Sequence, residues 1–264
     1  MNARINGIEL SYQCDGVKGR PVVILLHGFP FDRSTWKAQV AALRAHFQVL
    51  TYDLRGMGQS GLGPAPQPLE AYVDDLCALM DHLRIAKAGL AGLSMGGYIA
   101  LRAIQRQPQR FWALALCDTK AEADSDEGKL GRAAGIKALR DDGVKPFSEG
   151  MILKLLHQPK SAAGRGLLKV MLGNRVPGMT NALAAMQGRT DTTASLKALK
   201  VPVLVMAGQE DLLMPAAGTK ALAQKIKGSQ LKLLPKAGHV SNLEAPAAFT
   251  QALLGFFMRA YDRP

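Results

Sequence analysis

Six consecutive residues, Gly92-Leu93-Ser94-Met95-Gly96-Gly97, carry the strongest local signal in the chain. They follow an apolar run at 88–91 that predicts a strand, and a helix-like stretch begins at the serine and continues to residue 107. In so tight a turn, only small residues fit two positions before and two positions after the serine. The pattern therefore predicts a serine with a strained backbone whose hydroxyl projects at the carboxyl edge of a sheet.

Short apolar runs alternate with helix-like segments on both sides of this turn. Continuous apolar runs such as residues 21–26 are typical of strands buried on both faces of a parallel sheet. We predict an α/β fold with a mostly parallel, doubly wound sheet and helices on both faces. The predicted strands are residues 4–12 (an edge hairpin strand), 21–26, 47–52, 88–91, 111–117, 201–207 and 230–234. The helices predicted between and after them are residues 34–46, 69–83, 94–107, 216–227 and 246–258.

Residues 120–198 interrupt this alternation. They contain helical stretches without strands between them, at residues 127–141, 146–157, 161–172 and 179–187. We predict a helical insertion between two strands of one sheet. The core domain would then consist of residues 1–119 and 199–264, with residues 120–198 as the insertion.

The histidines supply candidates for a base, because a serine hydroxyl is a weak nucleophile without one. We predict His239 as the base, since it follows the last predicted strand and its loop can reach Ser94. His27 lies at a strand end and is predicted to shape the neighbouring loop. His157 lies in the insertion and is a candidate for lining a pocket.

A base of this kind needs an acidic partner that orients the imidazole. Asp211 lies directly after the strand at 201–207, and the order Ser94, Asp211, His239 is that of the α/β-hydrolases. We predict Asp211 as the acid. Two alternatives stay open, the neighbouring Glu210 and Asp118, which follows another strand at the same edge.

Two backbone amides are candidates for an oxyanion hole. One is the N–H of Met95, which comes directly after the serine. The other belongs to the loop His27-Gly28-Phe29-Pro30, where Gly28 allows a close approach of the backbone. We predict the N–H of Phe29 as this second donor, because Pro30 has none.

The segment Gly56-Met57-Gly58-Gln59-Ser60-Gly61 matches the dinucleotide-binding pattern GxGxxG. Such a site requires a helix that opens at these glycines. Instead the proline-rich residues 62–68 follow and exclude a helix. We therefore predict no cofactor here, and a tight loop held in place by Asp53 and Arg55.

The composition excludes several classes of protein. The chain has 264 residues and 48 % of them are hydrophobic, so it can bury a core and is not intrinsically disordered. No apolar run approaches the roughly 20 residues of a bilayer span, and the first residues lack the apolar segment of a secretory signal. Three widely spaced cysteines fit a reducing compartment. We expect a cytoplasmic protein without a membrane partner.

The net charge of +12 is the one unusual global number. No nucleic-acid-binding module accompanies it, so we expect no nucleic-acid partner, and no histidine, cysteine or carboxylate spacing predicts a metal. Residues 120–200 hold 14 lysines or arginines and 8 acidic residues, which places half of the excess charge in the insertion. This bias suggests a segment that attracts anionic substrates.

The chain resembles the α/β-hydrolase superfamily over essentially its full length. The residues that carry the resemblance are 27–30, 53–60, 92–97, 208–211 and 238–239. Within the superfamily it looks like the small bacterial serine esterases, enol-lactonases and cofactor-free perhydrolases. Haloalkane dehalogenases and epoxide hydrolases differ, because their nucleophile is an aspartate. The resemblance implies that residues 120–198 form a helical cap over the site.

These observations favour hydrolysis of a small carboxylic ester through an acyl-enzyme. The alternative is a lactonase for an anionic enol-lactone such as 3-oxoadipate enol-lactone. A perhydrolase or a non-catalytic ligand-binding receptor is a further alternative. The candidates for a substrate pocket are Phe31, Trp36, His157 and Met151. The sequence leaves the physiological substrate and the oligomeric state undetermined.

Overall fold

The computed structural model describes residues 1–262, which contain one sheet of eight strands. The strands are β1 (Asn2–Ile5), β2 (Ile8–Asp15), β3 (Val22–Leu26), β4 (Gln48–Tyr52), β5 (Ala88–Leu93), β6 (Phe111–Cys117), β7 (Val203–Gly208) and β8 (Gln230–Leu234). Their order is β1-β2-β4-β3-β5-β6-β7-β8. β1 and β2 pair antiparallel, β2 pairs antiparallel with β4, and every other neighbouring pair is parallel. The predicted doubly wound α/β sheet is confirmed.

The amino-terminal edge of this sheet differs from the prediction. The single strand expected at residues 4–12 is two strands, β1 and β2, joined by a turn at Asn6 and Gly7. Both turn residues have positive φ, 45° and 79°. Asn-Gly is the sequence that favours such a two-residue hairpin turn.

The described residues contain ten α-helices. They are α1 (Lys37–Leu43), α2 (Leu69–His82), α3 (Met95–Arg106), α4 (Asp126–Asp141), α5 (Val144–Leu155), α6 (Ala162–Leu172), α7 (Val176–Gln187), α8 (Ala216–Gln224), α9 (Ser241–Glu244) and α10 (Pro246–Tyr261). The helix expected at 34–46 is shorter, because Arg33–Trp36 form a 3-10 turn before α1. No helix in residues 1–262 has the length and hydropathy that a membrane span requires.

Alternate residues of the central strands build two hydrophobic clusters, one on each face of the sheet. In β3, Ile24 and Leu26 belong to one cluster with α2 and α3, and Val23 and Leu25 belong to the other with α1 and α10. Successive side chains of a strand point to opposite faces, so a strand buried on both sides must be apolar throughout. This explains why the apolar runs predicted the strands.

The helices α4 to α7 lie between β6 and β7, in the predicted insertion. α4 packs on α7 and α5 packs on α6. Leu139 and Met186 extend the cluster that contains α2 and α3, whereas Leu155 and Met171 extend the cluster on the opposite face. The inserted helices therefore contact both layers at the edge of the sheet.

Candidate active site

Ser94 occupies the turn between β5 and α3. Its backbone has φ 53° and ψ −114°, a conformation that L residues rarely adopt. The neighbouring glycines leave no room for a side chain. A Cβ at Gly92 would lie 2.3 Å from the carbonyl oxygen of Gly96, and a Cβ at Gly96 would lie 2.3 Å from that of Leu26. The expected strained turn with small flanking residues is present.

His239 joins Ser94 and Asp211 in one hydrogen-bonded chain. Its Nε2 lies 2.8 Å from Ser94 Oγ, and its Nδ1 lies 2.8 Å from Asp211 Oδ2. All three residues are buried. The arrangement leaves the imidazole one nitrogen for the hydroxyl and one for the carboxylate, which is the geometry that acyl transfer by a serine needs.

Backbone contacts hold both partners of Ser94 in place. Asp211 Oδ1 accepts hydrogen bonds from the N–H of Leu213 at 2.8 Å and of Met214 at 2.9 Å. The N–H of His239 donates to the carbonyl of Leu155 at the end of α5, at 2.8 Å. The inserted helices thus fix the loop that carries the histidine.

The charge state of His239 depends on this partner. Burial pulls its pKa down, but the Asp211 carboxylate acts in the opposite direction through charge and hydrogen bonding, and the net pKa of His239 is raised above its ordinary value. The imidazole is therefore a stronger base than a histidine free in water.

The two alternative acids occupy other positions. Glu210 Oε2 accepts from the N–H of Ala237 at 3.1 Å and has no contact with the imidazole in the described residues. Asp118 is fully buried at the end of β6 and accepts from the N–H of Gly208 and from the hydroxyl of Ser241. Burial and then the nearby Asp211 charge raise the pKa of Asp118 to about 7. Asp118 therefore sits beside the chain of hydrogen bonds rather than in it.

The backbone N–H groups of Phe29 and Met95 are free to donate hydrogen bonds. Within residues 1–262, neither N–H donates a hydrogen bond to a protein acceptor. Met95 is the first residue of α3, where an amide has no partner inside the helix. Nearby, His27 Nδ1 lies 2.8 Å from the carbonyl of Gly28, and its Nε2 accepts from the N–H of Leu54 at 2.9 Å. His27 contacts its own loop, which it was predicted to shape, and also joins that loop to the segment after β4.

The glycine-rich segment 56–61 is a loop and opens no helix. The Asp53 carboxylate accepts from the N–H of Arg33 and of Gln59, both at 2.9 Å. The Arg55 guanidinium forms a buried, two-bond ion pair with Asp75, at 2.7 and 2.9 Å. The prediction that Asp53 and Arg55 hold this loop is confirmed.

A cavity of about 710 Å³ opens onto Ser94 and His239. Met151, one of the predicted pocket residues, lines it. Its other side chains are mainly apolar and come from the Phe29 loop, from the inserted helices and from the loop after β7, including Phe147, Leu183, Met186, Leu213 and Met214.

Three predicted pocket residues do not reach this cavity. Phe31 and Trp36 are fully buried in the hydrophobic cluster that contains α10, with the Trp36 ring 5.9 Å from Phe249. His157 is exposed, and its backbone N–H donates to Glu244 at 3.1 Å. The expectation for these three residues was wrong. The loop after β3 turns Phe31 and Trp36 toward the core, and the segment after α5 leaves His157 exposed.

Sequence reasoning missed the polar residues of the cavity. Tyr98 of α3 packs in the hydrophobic cluster and also lines the cavity, together with Lys120, Asp124, Arg132 and Lys154. Lys120 had a signal, since it follows Asp118 at the carboxyl end of β6. Within residues 1–262, no group of three or more histidine, cysteine or acidic side chains has the geometry of a metal site.

Comparison with known proteins agrees with this geometry. Residues 23–252 match the model of the alpha/beta hydrolase family, so the chain belongs to that family. The sequence is 29 % identical to 3-oxoadipate enol-lactonase 1 of Acinetobacter baylyi over 252 residues, covering 95 % of this chain and 93 % of the relative.

Two solved structures are similar over nearly the full length. A thermophilic esterase from Thermogutta terrifontis, solved with malate bound, has a TM-score of 0.93 and 35 % identity and covers 98 % of both chains. The enol-lactonase from Burkholderia xenovorans LB400 has a TM-score of 0.90 and 32 % identity, covering 98 % of this chain and 100 % of the other. The protein is a hydrolase of this family.

Proposed function

We propose that the protein hydrolyses carboxylic esters of small molecules through an acyl-enzyme on Ser94. The observation that carries this proposal is the hydrogen-bonded chain from Ser94 through His239 to Asp211, which opens into a mostly apolar cavity. The names of relatives, esterase and enol-lactonase, support it.

Acylation begins when Ser94 Oγ attacks the ester carbonyl and His239 Nε2 accepts the hydroxyl proton. The Asp211 carboxylate stabilises the imidazolium that forms. The carbonyl oxygen becomes an oxyanion, and we assign its binding to the amides of Phe29 and Met95, which have no other acceptor in the described residues. Loss of one such donor typically costs about 3 kcal/mol of transition-state stabilisation. The tetrahedral intermediate then collapses, the bond to the alkoxide breaks, and His239 gives its proton to the leaving alcohol.

Deacylation repeats the same steps with water. His239 takes a proton from a water molecule, the hydroxide attacks the acyl carbon, and the second tetrahedral intermediate expels Ser94 Oγ. The proton held by His239 returns to that oxygen. The products are one carboxylic acid and one alcohol.

The direct test is hydrolysis of p-nitrophenyl acetate and p-nitrophenyl butyrate by the full chain. We expect release of p-nitrophenol by the wild type and none above background by Ser94→Ala with an unchanged circular dichroism spectrum. Turnover by Ser94→Ala at the wild-type rate contradicts the proposal. Absence of turnover by a folded wild type on esters, lactones and peracid formation would favour a non-catalytic receptor.

A lactone is the second candidate substrate. The relatives in Acinetobacter baylyi and Burkholderia xenovorans are named enol-lactonases, and a lactone is an ester whose acid and alcohol remain joined after cleavage. The same residues would perform the chemistry, with the ring-opened alkoxide or enolate taking the proton from His239. Comparison of kcat/KM for an enol-lactone and for an open-chain ester separates the two candidates.

A further inference from the structure

The cavity beside Ser94 carries an excess of positive charge on the wall formed by Lys120, Asp124 and Arg132, which ion pairs join. Lys154 lines the cavity as well, and Asp124 is the one carboxylate among its described lining residues. The remaining lining is largely apolar. Solvent reaches Lys120 and Lys154, but the Arg132 side chain is only 22 % exposed, and a cation removed from water needs an anionic partner or a ligand.

Asp124 cannot neutralise the positive charge of the cavity lining, because its single carboxylate is surrounded by three cations. Its buried carboxylate lies 2.8 Å from Arg189 Nη1, 3.1 Å from Arg132 Nε and 3.6 Å from Lys120 Nζ. Burial raises its pKa, but Arg132 and Arg189 outweigh that effect and hold the pKa of Asp124 below its ordinary value. One negative charge therefore faces three positive charges, and the wall keeps a net positive charge.

Two groups in this wall have hydrogen bonds left to donate. Arg132 contacts Asp124 through Nε, and its guanidinium also lies close enough to the Tyr98 hydroxyl for a hydrogen bond between them to lower the pKa of that hydroxyl, which leaves further N–H groups of Arg132 to donate. The Tyr98 hydroxyl is buried, its own hydrogen reaches no acceptor in the described residues, and the side chain lines the cavity. A buried polar group that lacks a partner costs about 1–3 kcal/mol, so a recurring ligand group is the economical explanation.

The residues around Tyr98 keep its hydroxyl protonated, so that it can donate a hydrogen bond. The Arg189 guanidinium stacks on its ring, with Cζ 4.1 Å from the ring centroid. Burial raises the pKa of Tyr98, with Arg189 and Arg132 opposing the shift in part. The hydroxyl therefore keeps its proton at neutral pH and can donate it to an acceptor.

We propose that the substrate carries a carboxylate in addition to the ester, and that Arg132 and Tyr98 bind this carboxylate. The more exposed Lys120 and Lys154 add positive potential to the lining of the cavity. The apolar side chains between the wall and Ser94 would contact the hydrocarbon spacer. This inference rests on the proposed ester hydrolysis and narrows its substrate class to half-esters of dicarboxylic acids or to esters of hydroxy acids.

Matched substrates isolate the effect of the charge. Monomethyl adipate carries the carboxylate on the acyl side, and methyl adipamate is its neutral amide counterpart. The pair 4-acetoxybutanoate and 4-acetoxybutanamide places the charge on the alcohol side. We expect the wild type to prefer the carboxylate in at least one pair by about 10- to 100-fold in kcat/KM, which is the value of a charge-assisted hydrogen bond.

Variants locate the effect on the wall. Arg132→Gln should reduce the preference for the carboxylate by about 10- to 100-fold, mainly through KM, and Tyr98→Phe by about 2- to 10-fold. Lys137→Gln is the matched control, because Lys137 is an exposed cation of the same helix α4 that lies outside the cavity and pairs with Asp141. It should keep the wild-type preference.

The outcomes separate this inference from the proposed function. If p-nitrophenyl esters are hydrolysed but neither carboxylate is preferred over its amide, the carboxylate site is refuted and the ester hydrolase stands. A preference that Arg132→Gln and Lys137→Gln reduce equally also refutes the site, because long-range charge would then explain it. If no ester of any kind is hydrolysed, the proposed function itself fails.

Discussion

The two edges of the sheet differ in the burial and pairing of their polar side chains. At the carboxyl edge of the parallel strands, Ser94, Asp211 and His239 are buried and hydrogen-bonded. At the amino edge lies a groove of about 1320 Å³ that no carboxylate of residues 1–262 lines. Its lining includes six exposed cations, none of them in an ion pair within residues 1–262: Lys18, Arg20, Arg84, Lys87, Lys200 and Lys227.

The contrast teaches that the amount of charge does not locate a site. Five of the six groove cations lie outside residues 120–200, the segment in which the sequence shows half of the excess charge. The larger and more basic depression has solvated cations, whereas the smaller cavity has buried donors without partners. Open α/β sheets bind ligands outside the carboxyl ends of their strands, where the backbone converges. Substitutions should therefore be costly at the carboxyl edge and tolerated at the amino edge.

Loss of the acid should give the largest effect on activity. Asp211→Asn keeps the shape but removes the charge that orients and stabilises the imidazolium, and we expect kcat to fall by about 10³- to 10⁴-fold. Glu210→Gln, at the neighbouring position, is the matched control and should stay within about threefold of the wild type. Steady-state hydrolysis of p-nitrophenyl butyrate measures both. If Glu210→Gln lost more activity than Asp211→Asn, Asp211 would not be the acid.

A methyl group should destabilise the two edges by different amounts. Gly96→Ala places a Cβ against the carbonyl of Leu26, and we expect a loss of about 3 kcal/mol in the free energy of unfolding. Gly228 lies in the amino-edge groove with φ 73° and open space around it, so Gly228→Ala costs only backbone strain, about 1–2 kcal/mol. Denaturant unfolding of both variants measures the difference. Equal losses of stability in the two variants would show that the turn at Ser94 is not more tightly packed than the loop at Gly228.

The pH dependence of kcat/KM should report the environment of His239. The base works only when it is neutral, so activity falls as the pH drops through the pKa of His239, which lies above its ordinary value. Removal of the Asp211 charge takes away the main raising effect, and the acidic limb of the Asp211→Asn profile should move to lower pH. Asp118→Asn should move it in the same direction by less, because Asp118 raises the pKa of His239 less than Asp211 does. An unchanged limb in both variants would contradict the arrangement.

Neutralisation of the amino-edge groove should have the smallest effect. The double variant Arg20→Gln, Lys227→Gln removes two exposed cations that have no ion pair in the described residues, and surface changes of this kind alter stability by less than about 0.5 kcal/mol each. We expect kcat/KM for a neutral ester to stay within about twofold. A tenfold loss would place function at this edge as well.

Much of the fold was predictable because its signals are local. The apolar runs in β3 to β7 follow from burial on both faces, and the glycines around Ser94 follow from the space available in one turn. A single strand was predicted where β1 and β2 form a hairpin, although the turn sequence Asn6-Gly7 favours that hairpin. The site residues Ser94, Asp211 and His239 lie at strand ends that share an edge, which is why their meeting could be anticipated.

The cavity wall was not predictable, because it is made by tertiary contacts. Arg189 is far from Asp124 in the sequence, and nothing in the sequence indicates that it meets Lys120 and Arg132 around that carboxylate. The same limit explains the errors at Phe31 and Trp36, whose loop position says nothing about which side of the loop faces the core.

Covalent labelling of Ser94 tests the central claim most directly. The wild type is treated with a fluorophosphonate that reacts with an activated serine, digested, and mapped by mass spectrometry. We predict one adduct, on the peptide that contains Ser94, which is lost in Ser94→Ala and strongly slowed in His239→Gln. An adduct on another serine, or equal labelling of the wild type and His239→Gln, would contradict the claim that His239 activates Ser94 for acyl transfer.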